Sequence, residues 1–124
     1  MTIRELYMII GGDYESALNV LRVEKLVDKH IRRFPKSDVA QRLFAAVESM
    51  DATEIFEAAH ALKGVCSNLG LTGLAEKASV ITEEYRPGNE RHLTDDEVKA
   101  CVGAIKNDYE TTAEGIRLYE VSGE

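Results

Sequence analysis

The chain has 124 residues, 44% hydrophobic and 30% charged, with a net charge of −7. That length supports one domain with its own core, without metals or disulfides, and no apolar run approaches the roughly 20 residues that span a bilayer. The acidic balance, with no concentrated basic patch, argues against nucleic acid, whose phosphates would be repelled.

No secretory signal opens the sequence, so the expected location is the cytoplasm and no membrane role is expected. Cys66 and Cys101 lie far apart, form no CxxC pair and read as two small buried hydrophobes. Helical periodicity recurs along the chain and no stretch alternates as a half-buried strand does, so the predicted class is all-α, with six helical segments. A short first helix over residues 2–10 carries Ile3, Leu6, Tyr7 and Ile10 on one side. "GGD" breaks it, and Asp13 caps a second short helix with Tyr14, Ala17, Leu18 and Leu21. The row Val23, Val27, Ile31 and Phe34 follows and is ended or kinked at Pro35. Ser37 offers a cap for a helix with Val39, Leu43, Val47 and Met50 inward; the segments either side of Pro35 read equally as one long bent helix.

Asp51 is the predicted cap of the next helix, over about residues 51–69, which Gly70 closes as a left-handed residue. Thr72 is expected to cap the helix carrying Leu74, Ala78, Ile81 and Tyr85. "TEEYRPGNERH" reads as a solvated helix end and loop, ending at a cap on Thr94 or Asp95. The last helix, over residues 95–119, has Val98, Cys101, Val102, Ile105, Tyr109, Thr112, Ile116 and Tyr119 in register. Four long amphipathic helices with short connections predict an antiparallel four-helix bundle, with the short N-terminal helices covering one end and residues 1–124 forming a single domain.

The most informative stretch is "AHALKGVCSNLG", residues 59–70, where a glycine follows a histidine by four positions inside a helix. Mid-helix glycine costs about 1 kcal/mol relative to alanine. On a wheel of about 100° per residue, Ile55, Ala59, Leu62, Cys66 and Leu69 form the core stripe, and His60 falls well outside it. Lys63, Gly64 and Ser67 share the flank of His60 at i+3, i+4 and i+7. An exposed neutral imidazole is a nucleophile near physiological pH. If His60 carried a phosphoryl group, Gly64 would leave room for it, Lys63 would place a cation within reach of its oxygens, and Ser67 would add a hydroxyl donor one turn further on.

The run His60-Ala61-Leu62-Lys63-Gly64, followed by Asn68-Leu69-Gly70, closely resembles the HxLKG…NLG signature of histidine-containing phosphotransfer (HPt) domains. The flanks "MDATEIFEAAHALKG" and "LTGLAEKASVITEEYR" are compatible with the helices around that motif, so the resemblance covers nearly the whole chain. It implies a free-standing phosphocarrier of a multistep two-component phosphorelay, without autonomous kinase activity. His60 would be the phosphoacceptor, charged on Nε2, the outer nitrogen, with Lys63 and Gly64 as conditioning neighbours. The implied partners are receiver domains of response regulators or hybrid histidine kinases, which bring the aspartate and Mg²⁺; the carrier needs no cofactor and stays monomeric to keep its face open. Phe56, one turn before His60, together with the outward Glu57, is a candidate docking contact for a receiver, with plugging the bundle edge an equal alternative for Phe56.

Two features depart from the family pattern: the break over residues 35–38, and His30 at a place where a large hydrophobe is usual. His30 reads as packed in the core or at its edge, and His92 as a loop residue. The three histidines share no i, i+3 or i, i+4 spacing, so no helical metal site is expected. Glu57 and His60 lack the second inward copy that a di-iron bundle requires. The competing functional reading is an HPt-like adaptor that binds receivers or kinases without being phosphorylated. An unrelated helical enzyme would need an inward polar constellation, and the stripes contain none.

Overall fold

Thr2 and Glu5 start the first helix by a reciprocal cap: Thr2 Oγ1 accepts the Glu5 N–H at 3.1 Å, and Glu5 Oε1 accepts the Thr2 N–H at 2.7 Å. The computed structural model describes residues 1–122. Its helices are α1 (Ile3–Ile10), α2 (Tyr14–Leu21), α3 (Glu24–Arg33), α4 (Val39–Ser49), α5 (Ala52–Asn68), α6 (Thr72–Tyr85) and α7 (Asp95–Val121), with one 3₁₀ turn over Phe34–Lys36. No strand occurs among the described residues, and none of their helices is long and apolar enough to cross a membrane.

Pro35 breaks the chain rather than bending one long helix. It lies inside the 3₁₀ turn, where it offers no N–H to continue the α-helical ladder. Helix α4 restarts beyond it with Asp38 at the N-cap; Ser37, one residue earlier than that cap, accepts the Val39 N–H at 3.2 Å. Asp13, Asp51 and Thr94 are the caps expected, accepting the N–H groups of Ser16, Glu54 and Glu97. Thr72 is not a cap. The connection from α5 to α6 is so short that buried Leu71 takes the N-cap position, with no side-chain bond.

The core collects the predicted stripes. Helix α5 packs on α4 and α6, α7 packs on α4 and α6, and α5 also meets α2, while α7 meets α1 and α3. Ile31, Leu43, Ile55, Leu62, Ile81, Ile105 and Ile116 are fully buried, each contributing roughly 1.5–3 kcal/mol. Val23 leaves the expected row: it precedes α3 as an extended N-cap, off the helix's core face, and is half exposed. Cys66 is fully buried, and burial pushes its thiol up to about 12. Cys101 is only partly covered, unlike the buried hydrophobe expected. His30 is half-buried at the edge of the core, lining a cavity of about 370 Å³ with Phe34 of the 3₁₀ turn and Val65 and Leu69 of the α5 side.

One long-range anchor and one local anchor fix the ends of α5 and α6. At the end of α5, Gly70 has φ +68°, its N–H bonds to Ser67 O, and Leu71 N–H bonds to Cys66 O, a Schellman closure. The N-terminal turn clamps this closure: Asp13 N–H donates to Gly70 O at 2.8 Å and the buried Tyr7 hydroxyl donates to Leu69 O at 2.7 Å. A Cβ on Gly70 would stand 2.1 Å from Asp13 O, so glycine is required by space as well as by φ.

In the last turn of α6, Glu84 is buried, contrary to the solvated reading of "TEEYRPGNERH". One carboxylate oxygen accepts from Arg91 Nε at 2.8 Å, His92 N–H at 2.9 Å and Leu93 N–H at 2.8 Å, folding the loop back onto the helix. Burial by itself would raise the Glu84 carboxyl, but these donors together outweigh it and hold the group below the usual carboxylate range.

Candidate functional site

The face of interest is the side of α5 turned away from the core. Ile55, Ala59, Leu62, Cys66 and Leu69 are all buried, as the wheel requires, so their rigid packing sets the direction of every side chain on the opposite flank. His60, Glu57, Gly64 and Ser67 are exposed, while Phe56 and Lys63 are half-buried at the border with α6.

Gly64 is the position at which structure discriminates between readings. A Cβ built there meets nothing within 4 Å, so no helix-to-helix contact inside the fold demands glycine. The bare site faces open space one turn beyond His60.

Phe56 and His60 are in direct contact. Their rings stack with centroids 5.7 Å apart and planes 14° from parallel. The Arg86 guanidinium, just past the end of α6, lies 5.3 Å from the centre of the same Phe56 ring. Arg86 is in turn gripped by Glu83, with Nε at 3.1 and 3.2 Å from the two carboxylate oxygens and Nη2 at 2.8 Å from Oε2. The Arg86 hydrogen bonds hold the Glu83 carboxyl below its usual range, against partial desolvation, with the charges of Arg86 and Lys63 adding to the effect. Lys63 therefore stands where its charge is felt by Glu83 at the seam between α5 and α6.

Sequence reasoning placed Phe56, Glu57, His60, Lys63, Gly64 and Ser67 on one flank of one helix, and the structure brings Phe56 and His60 into contact there. It missed Glu83 and Arg86, which a neighbouring helix delivers. Their i, i+3 spacing at a helix end is a visible ion-pair signal, but nothing local says that it abuts Phe56.

The arrangement can present a nucleophilic imidazole on a rigid helix, with an aromatic ring stacked beside it in an offset arrangement and a cation one turn away. Among the described residues, no group of three or more His, Cys, Asp or Glu side chains could hold a metal ion. The family model described as Hpt domain matches residues 37–114, which begin beside the 3₁₀ turn and end within α7. No curated protein and no solved structure matches the chain. With the match covering more than half of its length, the chain belongs to the Hpt domain family.

Proposed function

We propose that this protein carries a phosphoryl group on His60, between receiver-domain aspartates of a multistep phosphorelay. Family membership implies phosphotransfer in such relays, with receiver domains and histidine kinases as the interacting class. The observation that carries the assignment to this residue is the pairing of an exposed His60 with Gly64, a costly mid-helix glycine that no contact in the fold requires.

In the forward step the lone pair on His60 Nε2 attacks the phosphorus of an aspartyl phosphate. A P–N bond forms, the acyl P–O bond breaks, and the electron pair leaves on the aspartate carboxylate. The Nδ1 proton of the resulting imidazolium can pass to water. The reverse sequence delivers the phosphoryl group to a second aspartate. Lys63 faces the phosphoryl oxygens and Ser67 lies one turn further along, so the chain contributes position and charge while the receiver contributes its own Mg²⁺. Nothing in the role requires nucleotide, and the chain acts as a carrier rather than an autonomous kinase. The closed ring of contacts α4–α5–α6–α7–α4 supports an antiparallel four-helix bundle that holds this face rigid. We further take residues 1–124 as one unit working as a monomer in the cytoplasm.

The test is transfer from a receiver domain charged with a small acyl phosphate. Wild-type protein is expected to acquire acid-labile, base-stable phosphate, and His60→Gln none. Equal labelling of both proteins would remove His60 from the role. Receiver binding without any label would make the protein an adaptor.

A further inference from the structure

Phe56, His60 and Gly64 form one row along α5, at i, i+4 and i+8. Side chains on a helix lean toward its N-terminus, each over the residue one turn earlier. His60 therefore leans back over Phe56, and a side chain at position 64 would lean back over His60. The structure shows both halves of that geometry. The Phe56 ring lies nearly parallel to the imidazole in an offset stack, centroids 5.7 Å apart, and position 64 leaves the space beyond it empty.

Phe56 is itself held. Its ring is half-buried at the seam with α6, and the Arg86 guanidinium rests 5.3 Å from its centre. Glu83 favours this placement of Arg86 by bonding two of its guanidinium nitrogens, and Asn89 Nδ2 donates to the Glu83 backbone carbonyl at 2.9 Å.

We infer that Phe56 is a positioning residue for His60, a flat stop braced by Arg86 and Glu83 that fixes the imidazole plane so that Nε2 faces the incoming phosphorus. This deepens the phosphocarrier reading and rests on it. An exposed histidine on a bare helix samples several rotamers, and only a fraction of them align the ring nitrogen for in-line attack. A stacked ring removes most of that freedom before the partner arrives, which is how orientation contributes to rate. The same contact gives Phe56 a role other than docking, since its ring is already engaged with His60 and Arg86 in the unpartnered chain.

The experiment has a structural and a kinetic arm, on the full chain. In proton NMR, the ring protons of His60 are expected upfield in wild type, shielded by Phe56. They should move to ordinary positions in Phe56→Leu and return upfield in Phe56→Tyr. In transfer from a phosphorylated receiver domain, Phe56→Leu is expected to lower the rate at saturating receiver roughly tenfold, with the half-saturating concentration unchanged. Phe56→Tyr should restore the rate, and Arg86→Gln should fall between. Leucine keeps the apolar bulk at the seam, and retained helical circular dichroism confirms the fold. A higher half-saturating concentration with an unchanged limiting rate would make Phe56 a docking residue and overturn the proposal. So would unshifted His60 protons in wild type, or a wild-type rate in Phe56→Leu. The phosphocarrier reading fails separately, through labelling of His60→Gln.

Discussion

Replacing Gly64 by alanine separates stability from function more cleanly than any other single change in this chain. Glycine inside a helix is worse than alanine by about 1 kcal/mol, from its larger loss of backbone freedom. Residue 64 lies in the middle of α5 and is not among the glycines with positive φ, so alanine adopts its conformation without strain. The added methyl meets no atom within 4 Å, so no clash offsets the gain. The variant should therefore be more stable by about 1 kcal/mol, which for a chain of this size raises the melting temperature by roughly 3–5 °C. Urea unfolding of wild type and variant side by side measures this, with an unchanged m-value expected. On the proposed phosphocarrier role, transfer to His60 should fall in the same variant, the methyl entering the space that role assigns to the phosphoryl group, and Gly64→Gln should lower it further. A loss of stability in Gly64→Ala would mean that the fold itself demands glycine, refuting the argument from empty space. A gain of stability with undiminished transfer would show that the bare site serves no phosphoryl group.

The opposite result is expected at Gly70, where alanine would have to sit at φ +68° with its Cβ 2.1 Å from Asp13 O. Gly70→Ala should lose on the order of 3–5 kcal/mol, from left-handed strain and the broken N-terminal clamp; urea unfolding reads this, and a loss under 1 kcal/mol would show that the clamp yields freely. Glu84 gives the fold an acid-sensitive component. Its folded carboxyl lies below the ordinary 4.5, so the stability it contributes is complete above the unfolded value and is lost as pH falls through the folded one. Between neutrality and about pH 3, wild type should therefore lose more stability than Glu84→Gln, which cannot titrate; parallel pH profiles in thermal melts would contradict the assignment.

The candidate site was legible in the sequence to the extent that it is a property of one helix. His60, Lys63, Gly64 and Ser67 are fixed relative to one another by the 3.6-residue period alone, and the stripe from Ile55 to Leu69 fixes which way they point. Arg86 and Glu83 were not legible as site residues, because their approach to Phe56 depends on how α6 packs against α5. Glu84 was misread for a related reason. Its neighbours Glu83 and Arg86 are charged, and local composition cannot show a loop folding back to bury one carboxylate among them. The left-handed role of Gly70 was visible from the end of the apolar period, whereas its contact with Asp13 spans most of the chain and leaves no local trace. Thr72 was misassigned because capping preference is weak beside the demand to bury Leu71.

The clamp between the N-terminal turn and the end of α5 bears on where the protein can be trimmed. Similarity to the family begins at residue 37, yet Tyr7 and Asp13 supply the donors that meet the carbonyls of Leu69 and Gly70. A chain cut at 37 would leave the last turn of the histidine-bearing helix free to fray, and would take Val27, Ile31 and Phe34 out of the core. In amide exchange, the N–H groups of Gly70 and Leu71 should open together with those of α2 rather than with α6. The C-terminal end of the histidine-bearing helix is thus anchored by a segment that lies outside the family match.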